Sequence, residues 1–182
     1  MTAFTLHTLE SAPEKSKAIL EQSVKTNGML PNLHAVMAEA PGLLEGYQAL
    51  HKLFMASSFD AEELTVVWQS INVEHNCGYC VPAHTAIAHS MKVDATLTDA
   101  LRNQQAMPTE KLQMLRDTTL SMVRNRGIIS AEAVTAFFAV GYGQRQLLEI
   151  ILGISQKVMS NYTNHVASTP LDKPFQDFSW TK

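Results

Sequence analysis

The stretch Asp60-Ala-Glu-Glu-Leu-Thr-Val-Val-Trp-Gln-Ser-Ile-Asn-Val-Glu-His-Asn-Cys-Gly-Tyr-Cys-Val-Pro-Ala-His84 decides how this chain folds. Leu64, Val67, Trp68 and Ile71 stand three and four residues apart, the spacing of one helical face. Ser58 or Asp60 stands where a helix N-cap belongs, and acidic residues fill the first turn, at the positive end of the dipole. The pattern breaks at Asn76-Cys77-Gly78, and Pro82 marks a second helix start, because proline's missing N–H costs nothing in a first turn. Helix, break and helix follow one another with no strand between them.

Outward from this stretch the same period continues in both directions. Ser11-Ala-Pro-Glu14 predicts a capping box, with a helix running to about Lys25 and stopped by Thr26-Asn27-Gly28. Asn32 to Ala40 predicts a short helix, and Leu43, Leu44, Tyr47, Leu50 and Phe54 define the next. Pro82 to Met91, a segment capped by Asp94 or Thr96, a helix capped by Thr109 and one begun at Ser130 come after the break. A long helix is expected from Gln144 to Tyr162 or beyond. The chain therefore reads as all-α and as a single domain, residues 1–182. Its tail, 168–182, is expected to be non-helical and to dock through Phe175, Phe178 and Trp180, which are costly to leave in water.

Composition excludes several classes of partner. The 182 residues are 46% apolar and 17% charged, ordinary for a globular chain. A formal charge of -3 with no basic block argues against nucleic acid. No apolar run approaches the roughly 18 residues that would suggest a membrane span. The stretch Met1-Thr-Ala-Phe-Thr-Leu shows no basic segment followed by an apolar one, so a cytoplasmic protein without a membrane segment is expected.

The chemistry resides in the two cysteines, Cys77 and Cys80, with His84 four residues after the second. Three-residue spacing lets the thiols meet as a short-loop disulfide, and four-residue spacing on a helix places His84 over Cys80. A sulfur in a first turn is favoured as thiolate by free backbone N–H groups and the dipole. Gly78 gives the backbone between the cysteines freedom to close. These positions support a mechanism in which Cys80 attacks a peroxide, Cys77 condenses with the resulting sulfenic acid, and His84 moves protons. Glu74 and Glu63 are the carboxylates available to orient His84. Tyr79 is a candidate substrate contact or a cover for the disulfide. Two other readings stand beside redox chemistry: small buried thiols without a reaction, and zinc held by Cys77, Cys80, His84 and His75 or His89. Metal ligands drawn from one tract are unusual for structural zinc, so no metal and no cofactor is expected.

The tract Glu74-His-Asn-Cys-Gly-Tyr-Cys-Val-Pro-Ala-His84 resembles the core of the carboxymuconolactone decarboxylase family in its alkyl hydroperoxidase D-like, peroxidase-related branch. Leu30-Pro-Asn32, Pro41-Gly-Leu-Leu44 and Val66-Val-Trp68 resemble the lead-in, and Asn164-His165 through Thr169-Pro-Leu-Asp172 to Phe175 resembles the end of the peroxidase-related subgroup. The resemblance spans most of the chain. It implies an AhpD-like helical bundle, a homo-oligomer (trimer or hexamer), and thiol-dependent reduction of hydroperoxides with an external dithiol or lipoyl-type reductant. It assigns peroxide attack to Cys80, resolution to Cys77 and proton relay to His84. Dithiol-disulfide exchange, redox sensing and lactone decarboxylation are the alternative activities. The better-known peroxidases carry a relay glutamate twelve residues before the first cysteine, and here that position is Thr65. Glu74, and after it Glu63, are the expected substitutes.

Overall fold

The computed structural model describes residues 4–182; the first three, part of the N-terminal stretch read above for a leader, lie outside the described residues. In chain order the helices are α1 (Glu14–Asn27), α2 (Asn32–Met37), α3 (Pro41–Met55), α4 (Ala61–Glu74), α5 (Cys80–Ser90), α6 (Ala95–Arg102), α7 (Glu110–Arg124), α8 (Ala131–Ala139) and α9 (Gln144–Ala167). A 3-10 helix, Lys173–Phe178, follows. No strand occurs among the described residues.

The caps explain most of these boundaries. Asp60 accepts the Glu63 N–H at 2.9 Å while Glu63 accepts the Asp60 N–H at 3.1 Å, a reciprocal capping box that starts α4. Asp94, Thr109 and Ser130 accept first-turn N–H groups of α6, α7 and α8. Gly28 ends α1 in the left-handed region at φ 70°. The start of α1 differs from expectation. Pro13 is its N-cap, which leaves Ser11 too early to reach the first-turn donors, and the Ser11 hydroxyl instead accepts the Thr8 N–H at 2.9 Å.

α4 is the hub. Every residue from Glu63 to Val73 is buried, as in a helix covered on all sides, and α5, α6, α7 and α9 pack on it. One apolar core fills the space around α4, α6, α7, α8 and the first half of α9. A second, between α1, α2, α3 and the cysteine segment, contains Leu20, Met37, Leu44, Tyr47, Cys77 and Cys80. The cysteines thus lie beside the second half of α9, where the two cores meet.

Gly153 fixes how closely α9 approaches α3 and α4. A Cβ there would lie 2.9 Å from Phe54 Cε2 and 3.0 Å from Val67 Cγ1, and both side chains are fully buried. Gly153→Ala is therefore expected to destabilise the fold by about 1–3 kcal/mol despite its better helix propensity. A urea midpoint equal to or above the parent's would contradict this packing.

The tail departs in part from the non-helical expectation. Ser168 caps the end of α9 in the left-handed region at φ 49°, and Pro174 then sits in the first turn of the 3-10 helix. The tail docks on its own chain. Phe175 packs edge-on to Tyr79, Phe178 edge-on to His89, and Arg102 donates to the Phe178 and Ser179 carbonyls at 3.0 and 3.1 Å. Trp180 Nε1 returns a hydrogen bond to the Arg102 carbonyl at 3.2 Å.

Candidate active site

α4 leaves its last turn through Asn76, which adopts the left-handed conformation at φ 54°, one that asparagine tolerates. Gly78 was expected to give the backbone between the cysteines the freedom to close, but it has no positive φ and a Cβ there would meet nothing closer than 3.9 Å. The Cys77 N–H donates to the Asn72 carbonyl at 3.0 Å, and Tyr79 forms the N-cap of α5 with no side-chain cap. Cys80 is consequently the first helical residue. Its own N–H donates to Cys77 Sγ at 3.3 Å, so a helix-start donor that would otherwise be orphaned points at the other sulfur. Both thiols are free and buried.

α9 supplies the rest of the site, which the sequence reading did not anticipate. Gln156, Lys157, Ser160, Asn161 and Asn164 are all buried on one side of it. Asn164 Nδ2 donates to Cys80 Sγ at 3.2 Å and lies 4.0 Å from Cys77 Sγ. Asn161 donates to Asn72 at 3.1 Å and pairs with His75 Nδ1 at 2.9 Å. Lys157 is fully buried, with Nζ 2.8 Å from His84 Nε2. Among the described residues no carboxylate pairs with it, and Cys80 and Cys77 pull its charge the other way from burial. A sequence signal existed in the spacing 157, 161, 164, which puts three long polar side chains on one strip of a helix.

These contacts separate the two thiols. Burial pushes Cys80 up, but hydrogen bonding with Cys77, the Lys157 ammonium and the Asn164 and Asn161 amides outweigh it and hold Cys80 below the ordinary thiol range. Cys77 moves up, chiefly because it is the hydrogen-bonding partner of Cys80 and secondly because it is buried. One sulfur is poised to be a thiolate and the other to keep its proton. Burial also lowers Lys157, against the opposing pull of the two cysteines.

His84 is arranged differently from expectation. It was expected to hydrogen-bond or deprotonate Cys80, but its polar partner is the Lys157 ammonium. With Lys157 as an ammonium, which only donates, Nε2 would be the acceptor and a neutral ring would carry its proton on Nδ1, for which the described residues offer no hydrogen-bond partner. Burial first, then Lys157 and His51, keep the ring well below the usual histidine range. Trp68 packs on it with centroids 4.8 Å apart, and Trp68 in turn donates to Gln156 at 2.7 Å and stacks on His51.

The carboxylates expected near His84 are engaged elsewhere. Glu74 forms a two-pronged pair with Arg124 at 2.8 and 2.7 Å, which holds it below the usual carboxylate range. Glu63 caps α4 and pairs with Lys111 at 2.8 Å; it sits eleven residues before Glu74, about 16 Å along the helix from the cysteine end. Thr65 is buried and spends its hydroxyl on the Ala61 carbonyl at 2.8 Å. Tyr79 donates to Asp172 at 2.5 Å and accepts the Leu33 N–H at 3.3 Å, so its hydroxyl ties the tail and α2 to the cysteine segment. His75 and His89 turn toward Asn161 and Phe178, and among the described residues no group of three metal-ligating side chains forms.

Comparison with solved structures identifies the fold. An uncharacterised peroxidase-related protein with an AhpD core from Ralstonia eutropha JMP134 superposes with a TM-score of 0.83 at 16% identity, covering 96% of this chain and 94% of that one. A peroxidase-related protein from Silicibacter sp. TM1040 gives 0.80 at 18% identity, over 95% and 94%. The debrominase Bmp8 in complex with 2,3,4-tribromopyrrole gives 0.75 at 16% identity, over 97% and 95%. No protein-family profile and no curated protein sequence matches the chain. This chain therefore has the all-helical AhpD-like fold, and these identities speak to fold alone. No helix among the described residues is long and apolar enough to cross a membrane.

Proposed function

We propose that this chain is a thiol-dependent peroxidase of the two-cysteine type. The observation that carries the reading is two adjacent buried sulfurs in unequal surroundings: the Asn164 amide is 3.2 Å from Cys80 Sγ and 4.0 Å from Cys77 Sγ, and the surroundings draw Cys80 toward thiolate and Cys77 toward thiol. The Cys80 thiolate attacks the terminal oxygen of a hydroperoxide; an S–O bond forms, the O–O bond breaks, and the alkoxide leaves as an alcohol after taking a proton. Cys77 then displaces the hydroxyl from the Cys80 sulfenic acid, giving the disulfide and water. An external dithiol, of lipoyl type in this reading, returns both thiols by exchange. His84 and Trp68 wall the site, and Tyr79 anchors the tail over it.

A homo-oligomer is supported by the outward-facing apolar residues Leu148, Ile151, Tyr162 and Val166 of α9. A cytoplasmic setting would keep the pair reduced between turnovers. The likeness to a debrominase favours a second substrate class: replacing a ring bromine by hydrogen is a two-electron reduction that this thiol pair would supply, releasing bromide and leaving a disulfide.

One equivalent of tert-butyl hydroperoxide is expected to oxidise the reduced protein to a form two hydrogens lighter, with the loss confined to the peptide holding Cys77 and Cys80. An unchanged mass refutes the peroxidase reading. The same loss with 2,3,4-tribromopyrrole and none with the peroxide transfers the site to dehalogenation.

A further inference from the structure

In the chemistry proposed above the departing alkoxide needs a proton, and the sequence offered His84 to supply it. The structure argues otherwise. Nε2 of His84 is taken up by Lys157 at 2.8 Å, and among the described residues its Nδ1 meets no partner. The titratable groups that meet around the Lys157 ammonium are Cys80, Cys77, His84 and His51, with Tyr47 beside the cysteines. Cys77 must keep its proton for the second step, since that proton leaves in the water. Buried His84 and half-buried His51 are both held as neutral rings by desolvation. The Tyr79 hydroxyl is committed to Asp172.

We propose that Lys157 is the catalytic acid of this site, its ammonium giving a proton to the alkoxide released when Cys80 attacks a hydroperoxide. The proposal rests on the peroxidase reading and assigns the step that reading leaves open. Lys157 stands on the buried strip of α9 that also carries Asn164, whose amide bonds Cys80 Sγ at 3.2 Å, and its Nζ lies 2.8 Å from His84, one helical turn after Cys80; from there its charge acts on both sulfurs.

Charge balance argues for the same role. Before reaction the pocket holds one thiolate and one ammonium and is neutral. Attack converts the thiolate to a neutral sulfenic acid, so a lysine that kept its proton would become a buried cation without a counter-charge, a costly state. Transfer of that proton to the alkoxide leaves sulfenic acid, neutral amine and alcohol, and the pocket stays neutral. Disulfide formation then releases water with the Cys77 proton and the Cys80 hydroxyl. When a dithiol reduces the disulfide, two protons arrive with two electrons: one stays on Cys77 and the other returns to Lys157 as the Cys80 thiolate re-forms.

The test separates charge from proton donation. Lys157→Arg keeps a cation beside Cys80, but a guanidinium does not give up its proton. The full-length variant should alkylate Cys80 with iodoacetamide within a few-fold of the wild-type rate, since alkylation needs the thiolate and no acid. Its single-turnover rate with tert-butyl hydroperoxide should fall by about a hundredfold. With peracetic acid, whose leaving group is a stable carboxylate, the fall should be under about tenfold. Rates unchanged from the wild type with both oxidants, or equal losses with both, overturn the acid role. If the larger side chain prevents folding, as judged by circular dichroism, Lys157→Met replaces it. The ratio of peracid to alkyl hydroperoxide rates must then rise about tenfold or more, and an unchanged ratio overturns the proposal. A wild-type protein that consumes neither oxidant defeats the peroxidase reading, and the acid role with it. An active wild type whose variant shows no such split defeats the acid role alone.

Discussion

Cys80→Ser is expected to lower hydroperoxide consumption by at least about a thousandfold, because a serine hydroxyl is hardly ionised at neutral pH and this site has no base free to activate it. The Asn164 amide would still find an oxygen to bond, so the fold should survive. Cys77→Ser should behave differently. Its hydroxyl can accept the Cys80 N–H as the sulfur does, and Cys80 should still react once with peroxide at close to the parent rate. With no resolving thiol, the sulfenic acid then proceeds to sulfinic acid in excess peroxide. Quenched-flow peroxide assays with intact-mass analysis read both outcomes. Glu74→Gln serves as the control that separates this site from one built on a carboxylate relay. Glu74 is bound to Arg124, so its first-turnover rate should stay within about twofold of the parent. A Cys80→Ser protein that still turns over peroxide, or a Glu74→Gln protein that does not, would refute the assignment.

The contrast between Glu74 and Lys157 shows what a sequence can and cannot tell about such a site. Helix period, caps and breaks were legible because they depend on neighbours within one turn: Asp60, Asp94, Thr109 and Ser130 all cap the helices that follow them. The cysteine pair was legible for the same reason, since Cys77 and Cys80 meet across a single turn. The partners of His84 were not. Glu74 is close in sequence, yet it sits at the end of α4 where Arg124 of α7 is the nearer charge. Lys157 lies 73 residues from His84 and reaches it only because Gly153, one turn earlier on α9, brings that helix against α3 and α4. Ser11 is a local exception: a proline two residues on takes over the cap, and the serine hydroxyl accepts the Thr8 N–H instead. The AhpD-like fold follows from local periodicity, whereas the electrostatics of the site follow from packing between helices distant in sequence.

That packing also has an acid limit. Burial holds His34 and His51 down at about 4, and His84 is lowered as well, so all three are neutral in the folded chain near pH 6. In the unfolded chain they take up protons below about 6.5. The unfolded state therefore binds more protons throughout the interval from 6.5 down to the folded values, and stability is lost as pH falls through it. His34 and His51 should each contribute a loss of about 2 kcal/mol by pH 4.5, with His84 adding to it, against total stabilities of roughly 5–15 kcal/mol for ordinary domains. The Cys80 thiolate acts in the same direction from the unfolded thiol value downward, since the unfolded sulfur is protonated where the folded one is not. Asp172, raised by burial, opposes the trend only in the carboxyl range. The urea midpoint should therefore decline steadily between pH 6.5 and 4.5, before most carboxylates titrate. His51→Leu should make that decline shallower whatever it does to stability at pH 7, because one proton-binding difference is gone. A midpoint that is flat between pH 6.5 and 5 would mean that these rings are not held neutral, and the acceptor role of His84 toward Lys157 would lose its basis.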